Sequence, residues 1–182
     1  ERRGYLSAGA FVPEVVLEHP EVVSQLHREF IRAGTDIVQA FTYYGHREKL
    51  RLIGKEDLLE PLQKNALQIA KDARDEFKDL DLLVCGDVAN TNIYNPDDKK
   101  SHIECQKMYE EQVGWAKEAG VDFIVAETIN WTEEMKIALK AIKDAGMIAV
   151  TNFSIKKGDK TREGHTPGDA CKIMEDLGAD VV

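Results

Sequence analysis

The sequence has 182 residues, of which 43% are hydrophobic and 31% charged, and its formal net charge is −9. This length suits one domain with a buried core, while the acidic balance argues against a nucleic-acid partner, which needs a basic face to neutralise phosphates. The longest apolar runs, such as residues 122–126, are far shorter than the roughly 20 residues that span a bilayer. We therefore expect no membrane partner.

The three cysteines form no Cys-x-x-Cys pair, and their odd number argues against a disulfide framework. Cys85 lies in the apolar run 82–86 and is predicted to be a small buried hydrophobe. Cys105 and Cys171 fall in helical patterns. This usage fits a reducing, cytoplasmic location. The chain begins at Glu1 without an initiator methionine, and we expect it to be part of a longer polypeptide.

A recurring junction organises the chain: an amphipathic stretch ends near a glycine, and a short apolar run without alternation follows. Glycine closes helices readily because it adopts positive φ, and a continuous apolar run is typical of a parallel strand buried on both faces. The junctions lie at Gly34, Gly120, Gly146 and Gly178. The apolar run 82–85 follows a junction without glycine, so five strands are predicted in all.

Helical periodicity fills the intervals between these apolar runs. The first predicted helix has Pro20 near its first turn, and the others cover about 56–77, 101–119, 132–145 and 167–177. The order is thus a helix, four strand–helix units and the opening of a fifth strand at Val182. Strict alternation of this kind predicts a parallel α/β sheet with right-handed crossovers.

Two architectures have this order, a doubly wound open sheet and a closed (β/α)8 barrel. The absence of a G-x-G-x-x-G turn and of a G-x-x-x-x-G-K-[ST] loop from the sequence favours the barrel. A complete TIM-type barrel needs about 250 residues and eight strands. We therefore expect residues 1–182 to form one incomplete barrel domain, about strands 2 to 6, whose open edges make the isolated piece marginally stable and prone to associate.

Catalytic groups of such barrels lie at the carboxyl ends of the strands and in the loops that follow. Four segments qualify here, namely residues 39–44, 87–91, 127–128 and 151–152. Glu127 is the most informative residue because it follows the apolar run 123–126 directly. Its carboxylate is suited to accept hydrogen bonds from a substrate ammonium or to act in acid–base catalysis. The alternative is a structural carboxylate that is paired with a neighbouring donor.

Aromatic and histidine side chains are the other candidates for a site. Tyr43 and Tyr44 follow the predicted strand 37–41, and Phe11 lies upstream. Aromatic faces attract onium groups by roughly 0.5–2 kcal/mol each, although loop aromatics more often serve packing. The histidines show no ligand spacing and are interpreted as surface or capping residues: His19, His27, His46, His102 and His165.

Five further segments carry a recognisable pattern: residues 1–9 (ERRGYLSAG), 19–21 (HPE), 26–34 (LHREFIRAG), 39–44 (QAFTYY) and 121–127 (VDFIVAE). They resemble segments of the betaine–homocysteine S-methyltransferase family and occur in the family's order over essentially the whole chain. The wider group comprises homocysteine-binding, zinc-dependent methyltransferases with a (β/α)8 barrel. The resemblance implies methyl transfer from an onium donor, betaine or similar, to the thiol of homocysteine, giving methionine. This activity is expected of the full-length protein and not of the isolated piece.

The resemblance also implies roles for individual residues. Glu127 matches the glutamate that holds the amino group of homocysteine, and Tyr44 matches an aromatic residue of the betaine pocket. Tyr43 and Phe11 are neighbouring aromatic positions. Thr128 stands where betaine enzymes carry an aromatic residue, and Phe11 stands where they carry tryptophan. These two differences leave another methylated amine or a sulfonium open as the donor.

In the family, three cysteines hold a zinc ion that binds the homocysteine sulfur. The three cysteines of this chain do not match those positions, so the resemblance implies zinc ligands beyond Val182 and no metal site here. The expected partners are homocysteine and a methyl donor, and a homo-oligomer is left open. Two alternatives also remain. One is a barrel lyase or aldolase with Glu127 as acid–base, which needs a Schiff-base lysine or metal ligands at other strand ends; the other is a non-catalytic binding barrel.

Overall fold

The computed structural model of the protein describes residues 4–5, 13–155 and 158–182. The helices and strands in these ranges are, in chain order, α1 (Val15–Glu18), α2 (Pro20–Arg32), β1 (Ile37–Gln39), α3 (Arg47–Leu52), a 3-10 turn (Glu56–Leu58), α4 (Leu59–Asp75), β2 (Leu83–Ala89), α5 (Lys99–Ala119), β3 (Phe123–Ile129), α6 (Thr132–Asp144), β4 (Ala149–Phe153) and α7 (Pro167–Asp176).

The four strands form one parallel sheet in the order β1-β2-β3-β4. Helices connect each strand to the next, and an isolated parallel bridge between Val150 and Val181 begins a fifth strand. Sequential neighbours without a reversal of order are the arrangement of a (β/α)8 barrel, whereas a doubly wound sheet reverses its order at a switch point. The predicted incomplete barrel is therefore confirmed.

The five predicted helices are present, with ends within a few residues of the expected positions. The second one differs most, because a 3-10 turn at Glu56–Leu58 precedes α4. Periodicity did not predict α1 and α3, which have only four and six residues and so complete too few turns to show an apolar repeat. No helix within the described ranges is long and apolar enough to cross a membrane.

One face of the sheet is covered by helices. Side chains alternate between the two faces along each strand, and those on the covered face are buried: Val38, Val84, Ile124, Ala126 and Ala149. Gly86 belongs to this face, because a Cβ at this position would lie only 3.0 Å from the Cβ of Ala116 on α5. The absence of a side chain at Gly86 therefore allows α5 to pack closely against β2.

The other face of the sheet, called the open face below, is uncovered near the amino ends of the strands, whereas Cys85 and Asp87 on the same face are buried. Near the amino ends of the strands, Ile37 and Leu83 are each 43% exposed and Ile148 is 52% exposed. Full burial of such aliphatic side chains is worth about 1.5–3 kcal/mol each. In a closed barrel this face lines the interior, so its exposure is what an incomplete barrel produces. Toward the carboxyl ends of the strands, the same face carries polar side chains.

Two histidines contradict the interpretation of all five as surface or capping residues. His27 on α2 and His46 before α3 are both buried, and the His46 side chain makes no capping hydrogen bond. Burial lowers the pKa of both rings, that of His46 to about 4. Ligand spacing tests only for metal binding, so it could not have shown this burial. Cys85, in contrast, is buried as predicted.

Candidate functional site

The carboxyl ends of β1, β2 and β3 meet at one edge of the sheet, where the candidate site lies. Gln39 is in register with Cys85, and Glu127 is in register with Ala89, so β2 runs between the two polar side chains. The amide Nε2 of Gln39 donates a hydrogen bond of 3.0 Å to Oε1 of Glu127. This bond crosses β2 and holds the Glu127 carboxylate at the rim.

Asp87 lies on β2 below the hydrogen bond between Gln39 and Glu127. It faces the open side of the sheet, because the preceding Gly86 faces α5 and successive residues of a strand alternate. Asp87 is 3% exposed, and neither carboxyl oxygen has a hydrogen-bond partner within the described parts of the chain. Burial, and then the charge of Glu127, raise the pKa of Asp87 well above its usual range.

The sequence placed Asp87 in a candidate segment but did not suggest a role for it. The available signal was a carboxyl group inside an otherwise apolar strand, since Leu83–Ala89 contains no other charged residue. Gln39 was likewise named only as the start of a candidate segment. Its contact with Glu127 joins residues 88 positions apart in the chain, which a local pattern does not reveal.

Tyr43, Tyr44 and Thr128 form a cluster, called the tyrosine cluster below, beside Glu127. The ring centroids of the two tyrosines are 4.3 Å apart, and a hydrogen bond of 3.1 Å joins the Tyr43 hydroxyl to Oγ1 of Thr128. The structure thus brings together four of the five residues that the sequence indicated for substrate binding. The fifth, Phe11, lies outside the described residues.

One face of the Tyr44 ring already holds a cation. The ammonium nitrogen of Lys49 lies 4.3 Å from the ring centroid, a distance at which the ring quadrupole attracts positive charge. Hydrogen bonding to Tyr43, together with burial, raises the pKa of Tyr44 to about 12. Tyr44 is therefore a neutral phenol at physiological pH, with an electron-rich face suited to cations.

The backbone at this rim adopts unusual conformations. Tyr44, Asn92 and Thr128 have φ angles of 58°, 66° and 56°, in the left-handed region that residues with a Cβ rarely occupy. Each of them lies within five residues of the carboxyl end of one of the strands β1 to β3. The pairing of β3 with β4 also shifts its register between Ala126 and Ile129. Such irregularities cluster at functional sites, where they direct side chains.

A second buried carboxyl group lies on the helix side of the sheet. Oε1 of Glu134, on α6, accepts hydrogen bonds from the Thr91 N–H at 2.8 Å, the Thr91 hydroxyl at 2.6 Å and the Tyr109 hydroxyl at 3.2 Å. Burial raises the pKa of Glu134. Because the chain itself supplies these donors, Glu134 serves to join α6 to α5 and to the loop after β2.

The described cysteines do not fit a zinc site. Burial raises the pKa of Cys85 to about 12 and that of Cys105 to about 11, so both side chains are neutral thiols in this structure. Sγ of Cys105 lies 3.1 Å from the Thr91 hydroxyl. Within the described ranges, no group of three or more His, Cys, Asp or Glu side chains is arranged to hold a metal ion.

Curated relatives of the chain share one activity in their names. Betaine–homocysteine S-methyltransferase 1 of Sus scrofa is 36% identical over 187 residues, which cover 100% of this chain and 65% of that protein. The proteins of the same name from Rattus norvegicus and Danio rerio are 36% and 35% identical, again over 100% of this chain, and 44% of each is covered. The chain thus spans about half the length of the curated relatives it matches.

The fold has solved counterparts. The homocysteine methyltransferase MmuM from Escherichia coli, in its metallated form, matches with a TM-score of 0.82 at 20% identity, over 97% of this chain and 67% of that one. Its oxidised form matches with a TM-score of 0.80. At this identity the likeness shows the fold. The family is shown by the sequence, since residues 3–182 match the homocysteine S-methyltransferase family model. The chain therefore belongs to the homocysteine S-methyltransferase family.

Proposed function

We propose that the whole protein transfers a methyl group from an onium donor to the sulfur of homocysteine, forming methionine. Family membership supports this reaction. The structural observation that carries it is the pairing of an anionic and an aromatic site at one rim. The Glu127 carboxylate, held by Gln39, lies next to the cluster of Tyr43, Tyr44 and Thr128.

Glu127 is suited to hold the amino group of the acceptor. Gln39 binds one oxygen of the carboxylate and so fixes the orientation of the side chain. A primary ammonium can bind the same carboxylate through a charge-assisted hydrogen bond, which contributes about 1.5–3 kcal/mol. This contact would place homocysteine above the open face of the sheet, with its thiol free to reach the donor.

The tyrosine cluster is suited to hold the donor. A fully methylated onium group has no N–H to donate, so aromatic faces are the groups that bind it best. Tyr43 and Tyr44 supply such faces, with Thr128 as a neighbour and Phe11 as a further candidate. The ammonium of Lys49 at Tyr44 repels a donor that is only cationic but attracts a carboxylate. We therefore favour a betaine-like donor that carries both charges.

In the proposed reaction, the thiolate sulfur attacks the methyl carbon of the donor. The new S–C bond forms as the bond from that carbon to the onium atom breaks, and the donor leaves as a neutral amine or sulfide. Opposite charges disappear in this step, so a site that excludes water favours it. Glu127 and the tyrosines would act by holding the reactants in line. The described cysteines do not fit zinc, so no step is routed through that metal here. We expect its ligands elsewhere in the whole protein.

The test uses the full-length protein with homocysteine and three donors: betaine, a sulfonium and a monoamine onium without a carboxylate. We expect methionine to form, most efficiently from betaine. Tyr44→Leu should raise the KM for the donor about 5- to 30-fold, because the lost ring contact is worth about 1–2 kcal/mol. Tyr44→Phe, the matched control, keeps the ring and should stay within about threefold of wild type. Absence of methionine with every donor would refute the proposal.

The alternative of a lyase or aldolase receives no support from the described strands. Such an enzyme needs a Schiff-base lysine or metal ligands at the strand ends. None of the four described strands contains a lysine, and the described residues lack a metal-ligand cluster.

A further inference from the structure

Asp87 is a buried carboxyl group whose presence the roles proposed above do not explain. It is 3% exposed, and both of its oxygens lack a hydrogen-bond partner in the described ranges. Leaving a buried polar group unpaired costs folding free energy, and an ionised one costs more. A group of this kind in a rim site indicates a function that requires it.

The register of the sheet places Asp87 directly beneath the proposed acceptor site. On β2, Asp87 lies midway between Cys85 and Ala89. Cys85 is paired with Gln39 of β1, and Ala89 is paired with Glu127 of β3. All of these side chains share the open face, because paired residues of a parallel sheet point to the same side. The bond from Gln39 to Glu127 therefore passes over Asp87, and those two side chains face it from β1 and β3.

The charges around Asp87 show which of the two carboxyl groups keeps the proton. The titratable groups that face it are Glu127 on β3 and the Cys85 thiol on its own strand, while Gln39 on β1 is neutral. The helices pack on the opposite face of the sheet. Two adjacent carboxylates cannot both stay ionised cheaply out of water. Asp87 is the more deeply buried of the two, so it is the group that keeps the proton.

We propose that Asp87 is a positioning residue that, as a neutral acid, donates a hydrogen bond to Glu127 and so orients this carboxylate toward the acceptor's ammonium group. The inference rests on the proposed function, since it assumes that Glu127 holds homocysteine. Gln39 then binds Glu127 from one side and Asp87 binds it from below. The pair carries a single negative charge, which matches the single positive charge of one ammonium.

The first test compares two substitutions in the full-length protein. Asp87→Asn keeps a donor toward Glu127 but cannot ionise, and we expect its KM for homocysteine to stay within about threefold of wild type. Asp87→Leu has a similar size without a donor, and we expect a KM about tenfold higher with kcat changed less than about threefold. Asp81→Asn, an exposed aspartate before β2, is the matched control and should behave as wild type.

A second measurement keeps the proposal testable should Asp87→Leu fail to fold. Titration calorimetry of homocysteine in two buffers of different ionisation enthalpy counts the protons released on binding. Wild type and Asp87→Asn should release the same number, because Asp87 stays neutral throughout. An extra proton from wild type, or an Asp87→Asn variant as impaired as Asp87→Leu, would overturn the proposal. Wild type that neither binds nor methylates homocysteine would instead refute the proposed function itself.

Discussion

Buried acidic groups lie on both sides of the sheet, but their surroundings differ. On the helix side, Glu134 accepts three hydrogen bonds from Thr91 and Tyr109. On the open side, Glu127 accepts one from Gln39, and the Asp87 carboxyl is unpaired as far as the described chain shows. Glu134 therefore has its hydrogen-bond partners within the fold, whereas Glu127 is suited to bind a ligand as well.

This difference separates residues that stabilise the fold from residues that bind. A satisfied buried carboxyl joins elements and favours a single packing arrangement. An unsatisfied one costs stability and is retained where the site needs it. The strained backbone of Tyr44 and Thr128 lies at the rim that carries Glu127, which agrees with strain being concentrated at functional sites. Substitutions on the open side should therefore change substrate kinetics, and substitutions on the helix side should change the free energy of unfolding.

The largest effect is expected from Glu127→Gln, which removes the charge that holds the acceptor's ammonium. A charge-assisted hydrogen bond of about 2–3 kcal/mol corresponds to a loss of roughly 100-fold in kcat/KM for homocysteine. The free energy of unfolding should change by less than about 0.5 kcal/mol. Steady-state kinetics and urea unfolding check both values. Glu133→Gln, on the exposed surface of α6, is the control and should change neither.

Glu134→Ala should show the reverse pattern. Thr91 and Tyr109 would lose their acceptor in a buried place, so unfolding should become easier by about 2–3 kcal/mol. Activity per folded molecule should stay within about twofold of wild type. Glu134→Gln retains an acceptor oxygen and should cost less than about 1 kcal/mol. A large loss of activity in folded Glu134→Ala would contradict the separation of the two sides.

His46 lies near the site, with its ring 6.0 Å from that of Tyr44, and it should make stability depend on pH. Burial lowers its folded pKa from 6.5 to about 4, so the unfolded chain binds a proton more readily between these values. Its contribution, about 3 kcal/mol for this pKa difference, is present above pH 6.5 and is lost as the pH falls through 4. The His46→Gln variant should lose this pH dependence. The control variant His102→Gln, at a partly exposed position, should keep it. Unfolding at several pH values measures the difference.

The smallest effect is expected from Tyr43→Phe, which keeps the ring but removes the hydroxyl and with it the hydrogen bond to Thr128. A bond between neutral groups is worth about 0.5–1.5 kcal/mol, so the KM for the donor should rise no more than about threefold. Combining this change with Thr128→Val should add little, because both remove the same bond. Fully additive effects in this double-mutant cycle would show that the two side chains act independently.

The order of elements and the position of Glu127 could be predicted from sequence because both follow local rules. An apolar run bounded by glycine indicates a buried parallel strand whatever its partners, and a carboxylate directly after such a run lies at its end. The helices over 101–119 and 132–145 were located for the same reason. The burial of His46 and the surroundings of Asp87 could not be predicted, since they depend on elements distant in the chain.

Alternation of apolar runs and amphipathic stretches was thus enough to predict a parallel α/β fold with a carboxylate and two tyrosines at its rim, and the absence of glycine-rich phosphate loops favoured the barrel. Only the tertiary structure decided which donors meet which acceptors. Gln39 reaches Glu127, Tyr43 reaches Thr128 and Thr91 reaches Glu134 across 43 to 88 residues of chain. Strand register and helix packing place these groups together, and hydrogen bonding and desolvation then determine whether a carboxyl group stabilises the fold or remains free for a ligand.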